Sequence, residues 1–234
     1  MCQLNVLKNE MQKPQKPLIW TLLAASICVS GLGIFALRAE ATASAMGSGS
    51  TRLSQFVQAI EGEVKLPLSV EGRRVLLDTC EMGLQPSLPL LLRFASIEQR
   101  QMVAPFCTDL AQSAVEASKA DSYAWAILAM AQIRSGDVAS AEHSLIRSSL
   151  TAPTEAWIAR TRFELIQDNY DHLSQDVRGI GDADALVLID GRLGSVVARR
   201  YVADAGFRQR SEALFESQPE QVQRRFLSLV RRQI

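Results

Sequence analysis

Along most of this chain the apolar positions recur at intervals of three and four, the spacing that gathers one face of an α-helix. The interval of two that a half-buried strand requires is nearly absent. Leu53, Phe56, Val57 and Ile60 make one such set, and Val75, Leu76 and Cys80 another. Gly62, Pro67, Gly72, Gly83, Pro86, Pro89 and Pro105 divide this part into short elements, with Ser87 placed to cap one that begins near Leu88. Further on, the pattern predicts helices over 106–119, 122–134, 138–150, 154–168, 183–190, 192–205, 210–217 and 219–232. The stretch ALVLID, residues 185–190, has the composition of a strand, but a lone strand has no partner, so it is read as helix. The expected fold class is all-α.

One segment breaks the pattern by having no polar face. Residues 18–37, LIWTLLAASICVSGLGIFAL, pass without a charge, and as a helix they span about 30 Å, the thickness of a bilayer's hydrocarbon core. Lys8, Lys13 and Lys16 precede the run, whereas Arg38 and Glu40 nearly cancel after it. The positive-inside rule then expects residues 1–17 in the cytoplasm and the remainder on the other side of the membrane. The small residues of ATASAM, 41–46, offer a cleaved signal peptide as the alternative, but the run exceeds an ordinary signal core and favours an uncleaved single-pass anchor. Lipid attachment at Cys28 fails because Ile27 stands where a small residue is needed, and a buried core helix rarely runs this long without a polar side. Residues 38–52 are expected to form a flexible tether, leaving 53–234 as the exported domain.

Export gives the cysteines a meaning. Beyond the apolar run only Cys80 and Cys107 remain. In an oxidising compartment a bond between them would close a loop of some 28 residues and contribute about 3 kcal/mol. Two buried thiols are an equal alternative. Neither belongs to a CxxC pair, which argues against a redox or zinc site.

Charge adds a direction along the chain. The 25 basic and 25 acidic residues cancel, so no bulk field points to nucleic acid. Yet residues 38–177 carry twelve basic and seventeen acidic groups, while 178–234 carry seven acidic and ten basic, all of them arginine. Arg199, Arg200, Arg224 and Arg225 are therefore candidates to contact an anionic polymer, because guanidinium groups grip carboxylates and phosphates in bidentate fashion. A solvated helix face is the plainer account of the same residues.

The stretch SYAWAILAMAQIRSGDVASAEHSLIRSSLTAP, residues 122–153, predicts two helices joined tightly enough to pack antiparallel. Asp121 or Ser122 caps the first, Gly136 ends it, Asp137 caps the second, and Pro153 opens the next. Trp125, Leu128, Ala129, Ala141, Leu145 and Pro153 stand at the positions of a tetratricopeptide repeat, and residues 121–154 resemble one such unit. Gln132 replaces the pattern's tyrosine, Trp157 falls two residues early for a second unit, and upstream the pattern's second half is missing. The resemblance thus implies one unit with degenerate neighbours inside a longer helical domain.

The segment from Ala124 to Leu165 is also similar to small single-anchor bacterial proteins of surface polysaccharide biosynthesis. That resemblance implies an accessory role in exopolysaccharide or O-antigen production, with envelope proteins such as polysaccharide polymerase or export components as partners. The residues expected to meet a partner are Tyr123, Gln132, Arg160 and Arg162, while Trp125 and Trp157 hold helices together.

Catalytic chemistry finds little support. His143 and His172 lack a second ligand at helical spacing, and no cofactor or metal is expected. Asp182 and Asp184 imitate the Asp-x-Asp of metal-dependent glycosyltransferases, but the α/β sheet such enzymes need is missing, and Gly181 before Asp182 fits a helix start. IDGRLGS, 189–195, has neither the lysine nor the strand of a phosphate loop. The chain reads as an interaction protein and not as an enzyme. A glycan-binding factor using the C-terminal arginines is the alternative.

Overall fold

Helix α1, Lys16–Gly47, contains the charge-free run and continues past it. The computed structural model describes residues 16–47, 60, 66–86 and 95–234, and among these there are ten α-helices and no strand. Within α1, Ile19–Arg38 is long and apolar enough to cross a membrane. Its side chains, Trp20, Ile27, Val29 and Leu32 among them, are exposed, whereas the core helix of a soluble protein would bury one side. The segment expected as a tether is helical as far as Gly47, because alanines at 39, 41, 43 and 45 have the highest helix propensity. Residues 48–52 lie outside the described part, as do the expected cap at Ser87 and most of the 53–60 set.

Helix α2 (Val70–Leu84) is capped by Ser69, whose Oγ accepts from the Gly72 amide at 2.9 Å. Helix α3 (Ile97–Ala117) starts well before the expected residue 106. Ser96 and Gln99 form a reciprocal cap there, each backbone amide donating to the other's side chain, at 2.8 and 3.1 Å. Pro105 lies inside α3 and costs roughly 3 kcal/mol, which burial of Val103, Cys107, Leu110 and Ala111 on one face outweighs. Cys80 of α2 and Cys107 of α3 are bonded, S–S 2.09 Å and Cα–Cα 5.7 Å, in the apolar cluster that also holds Leu76, Leu77 and Leu110.

Helices α4 (Ser122–Arg134) and α5 (Val138–Thr151) fall where the pattern placed them. Asp121 accepts from the Ala124 amide at 3.0 Å and Asp137 from the Ser140 amide at 3.1 Å. Between them Gly136 turns the chain at φ +83°, a conformation glycine enters without a Cβ penalty. The two helices run antiparallel: Ser122, at the start of α4, donates to the Ser148 carbonyl near the end of α5 (2.7 Å), and Gln132 accepts from Ser144 further along (2.8 Å).

Helices α6 (Ala156–Asp168) and α7 (Gln175–Asp190) form the next pair, joined through a 3-10 turn at Tyr170–His172. The expected start of a helix near 183 is instead the middle of α7. A Cβ at Gly181 would come within 2.8 Å of Ile166 Cγ2, so glycine there lets α7 lie close against α6 and marks a contact, not a terminus. ALVLID is the C-terminal half of α7 and is helical. Helices α8 (Gly194–Ala203), α9 (Ala205–Glu216) and α10 (Glu220–Arg231) complete the chain.

Three apolar clusters hold these helices. The first joins α2, α3 and α4, and includes Ile60. A second, with Ala129, Leu145, Ile166 and Val177, binds the α4–α5 pair to the α6–α7 pair. The third runs through α6 to α10 by way of Phe163, Phe207, Phe215 and Phe226, with ring centroids 5.5 Å apart for Phe163–Phe207 and 4.1 Å for Phe215–Phe226.

Candidate functional site

Charged side chains at intervals of four line one face of α6: Arg160, Glu164 and Asp168. They open onto a groove of about 680 Å³. Its other walls are the C-terminal end of α2 (Glu81, Leu84) with Pro86 just beyond it, the C-terminal end of α4 (Met130, Ile133, Arg134), and the outer turns of α8 (Val196, Arg199, Arg200, Ala203). The floor is apolar and the rim carries four guanidinium groups and three carboxylates. Helices α4 and α6 are each the first member of a helix pair, so the groove follows the same side of successive hairpins.

The carboxylates of the groove are largely occupied by the protein itself. Glu81 accepts from the Tyr123 phenol (2.7 Å) and from Thr161 Oγ1 (3.2 Å), and lies 3.7 Å from Arg160. Asp168 pairs with Arg200, which also bridges to Asp204 at 3.0 Å. Burial pushes the Glu164 carboxyl above its ordinary value; Arg160 and Arg199 pull against that rise, and Glu81 and Asp168 add to it. Arg134 and Arg199 are exposed on the rim, and Arg160 keeps 43% of its side-chain surface. The rim therefore offers positive charge outward while its negative charge is drawn inward.

The structure redistributes the residues expected to meet a partner. Arg160, expected as a partner contact, and Arg199 and Arg200, expected as anion contacts, are brought together on this groove. Tyr123 is not on it. Its ring is buried against Trp157 (centroids 5.0 Å apart), and its hydroxyl lies 2.8 Å from Asp78 and 2.7 Å from Glu81. A phenol has one hydrogen to donate, so the two carboxylates share it. Burial, with Glu81 and Asp78 adding, raises the phenol far above its usual range and keeps that hydrogen in place. Gln132 is engaged within its hairpin by Ser144.

Arg162 is the largest departure. It is fully buried, because it is two residues from Arg160 on a helix of 3.6 residues per turn and so faces the opposite way, into the protein. Its Nε and Nη2 donate to Asp184 at 2.9 and 2.5 Å, and Nη1 donates to the Ala152 and Ser148 carbonyls at 3.2 and 3.3 Å. One guanidinium thereby ties the end of α5 to α6 and α7. Burial raises the Asp184 carboxyl to about 6, with Arg162 opposing the rise.

Asp184 is thus committed to Arg162, while Asp182 stays half-buried, and the two do not converge on a common ligand position. Among the described residues no group of three or more His, Cys, Asp or Glu side chains is placed to hold a metal ion. His143 and His172 are exposed, the former edge-on to Trp125 at 6.2 Å. Arg224 pairs with Glu220 on its own helix at 3.4 Å, and Arg225 reaches Asp190 and donates to the Gly191 carbonyl, so both are used at the α7–α10 contact or within α10.

The charged groove residues that sequence reasoning missed are Glu81, Arg134, Glu164 and Asp168. The i, i+4, i+8 run of charge at 160, 164 and 168 was the available signal for Glu164 and Asp168; Glu81 and Arg134 had none beyond a place near a helix end. Neither a comparison with protein-family models nor one with curated proteins or solved structures finds a match.

Proposed function

We propose that this chain is a membrane-anchored interaction protein whose groove binds a segment of a partner in the bacterial envelope, in service of exopolysaccharide or O-antigen biosynthesis. Helix α1 anchors it in the inner membrane, and residues 53–234 work in the periplasm. The observation that carries the reading is the open groove of about 680 Å³, apolar at the base and arginine-rimmed, on one side of successive helix pairs. The segment that resembles polysaccharide-biosynthesis accessory proteins, residues 124–165, coincides with α4, α5 and most of α6, and contributes Met130, Ile133, Arg134, Arg160 and Glu164 to that groove. The tetratricopeptide-like unit at 121–154 supports the same reading, since such hairpins present their first helices to ligands. Packing of the α2–α3 end around a disulfide suits an oxidising compartment.

The test is crosslinking in intact membranes with a photoreactive residue in place of Ala203, an exposed groove position on α8, followed by identification of the captured proteins. Polysaccharide polymerase or export subunits are the expected products, lost when Arg160 and Arg134 are changed to glutamate. Capture of cell-division proteins instead, or of products indifferent to those two changes, overturns the assignment.

A further inference from the structure

We propose that the N-terminal end of α2 rests in the membrane interface, with Leu68 and Val70 seated among the lipid headgroups and held there by Glu40. The inference rests on α1 crossing the bilayer and is independent of what the groove binds. The apolar stretch of α1 ends at Arg38. Glu40 follows two residues later, about 3 Å further along the helix axis. Its carboxylate accepts two hydrogen bonds from one residue of the domain, from the Ser69 amide at 2.7 Å and the Ser69 hydroxyl at 2.6 Å. That double contact fixes the start of α2 beside the end of the span.

Leu68 and Val70 flank Ser69, each about 3.8 Å away from it along the chain. Both are 70% exposed, as open as the lipid-facing residues of α1 itself, of which Val29 is 69% exposed. The headgroup layer on each side of a bilayer is about 5–7 Å thick. A residue clasped to Glu40 lies within that layer once α1 spans the membrane, and so do its two apolar neighbours. In water this pair is exposed apolar surface with no gain; at the interface its burial is favourable and continuous with that of α1. A two-point attachment of this kind, one through the span and one through residues 68–70, sets the orientation of the domain on the membrane.

The experiment uses the full chain in vesicles of phosphatidylethanolamine and phosphatidylglycerol, with an environment-sensitive fluorophore on single cysteines. In a C2S/C28S background the label is placed by L68C, V70C or L150C, the last on an exposed position of α5. A C2S protein labelled at Cys28 reports the span itself. Labels at 68 and 70 are expected to be quenched by headgroup-level nitroxide lipids and at least threefold less by aqueous iodide than the label at 150. Adding E40A should return both to the behaviour of position 150 while Cys28 stays lipid-quenched. If Cys28 is in lipid but 68 and 70 respond like 150, the interfacial seat is wrong and the span stands. If 68 and 70 are shielded from iodide and from lipid nitroxides alike, a protein covers them and the proposal is overturned. Persistence of the lipid signal in E40A removes Glu40 as the cause and overturns it as stated. Iodide access to Cys28 overturns the span and this inference together.

Discussion

Around Cys80 and Cys107, helices α2, α3 and the start of α4 are tied by a covalent bond and by one phenol shared between Asp78 and Glu81. From α6 to α10 there is no such bond; those helices close on a fully buried arginine and a chain of phenylalanine rings. The difference concerns what each region responds to. The first depends on the redox state of its surroundings, and its polar clasp is partly open to water. The second depends on protonation of Asp184 and on packing, and is indifferent to reductant. The α4–α5 pair belongs to both, since Tyr123 reaches one region and Ser148 the other.

The two regions should separate most clearly when Asp184 is changed. Asp184→Ala leaves the Arg162 guanidinium buried with no counter-charge, and a loss of about 3–5 kcal/mol is expected. Denaturant unfolding measures the loss, and amide exchange should rise first in α6 and α7 while α2 and α3 keep their protection. Asp184→Asn, which retains an acceptor, should cost less and should also alter the pH profile. The folded carboxyl titrates near 6 against an ordinary value of 3.8. The native state therefore holds more protons than the unfolded state between those values, and this group's contribution to stability falls by about 3 kcal/mol as pH rises from 4 to 6, then levels off. The asparagine variant should lack that slope. A slope that persists in Asp184→Asn assigns it to another group.

The matching test of the first region is the pair Cys80→Ala and Cys107→Ala. For a sequence separation of 27, loop-closure entropy predicts a loss of about 3–4 kcal/mol. Exchange should rise in α2 and α3 and change little beyond α6. If this variant and Asp184→Ala loosen the same helices equally, the two regions are a single cooperative unit and the contrast between them fails.

How much of this was legible in advance divides along the same line. The α4–α5 hairpin could be read to within a residue, because Asp121, Gly136 and Asp137 are local signals whose hydrogen bonds lie within a turn of themselves. The starts of α3 and α7 could not. Pro105 and Gly181 are helix breakers by propensity, and each is overridden by a tertiary contact, the buried face of α3 in one case and Ile166 in the other. The site was legible by halves for a related reason. Spacing identifies residues that share a helix face, so Arg160, Glu164 and Asp168 were within reach. It does not say which face points inward, and Arg162 was placed on the wrong one.

Tyr123→Phe should loosen the first region by a smaller amount. The variant keeps the ring against Trp157 and removes the only hydrogen that Asp78 and Glu81 share from it. A loss of about 1.5 kcal/mol is expected, below the range for a fully buried charge because both carboxylates still reach water. A loss as large as that of the disulfide variant would mean that the phenol, and not the covalent bond, organises α2 against α4.

The smallest effect on stability is expected where the effect on function is greatest. Arg160 is two residues from Arg162, yet it is 43% exposed, its nearest carboxylate is 3.7 Å away, and that carboxylate already accepts from Tyr123 and Thr161. A pair so placed is screened and contributes little, so Arg160→Ala should shift stability by no more than about 0.5 kcal/mol. Arg199→Ala, on the facing wall, should behave the same way. Both should nevertheless reduce crosslinked partner in intact membranes, since each removes outward positive charge from the groove rim. Thermal unfolding together with the capture yield decides the matter. A large drop in melting temperature would make Arg160 a structural residue like Arg162, whereas unchanged stability with unchanged capture would remove the groove from the interaction.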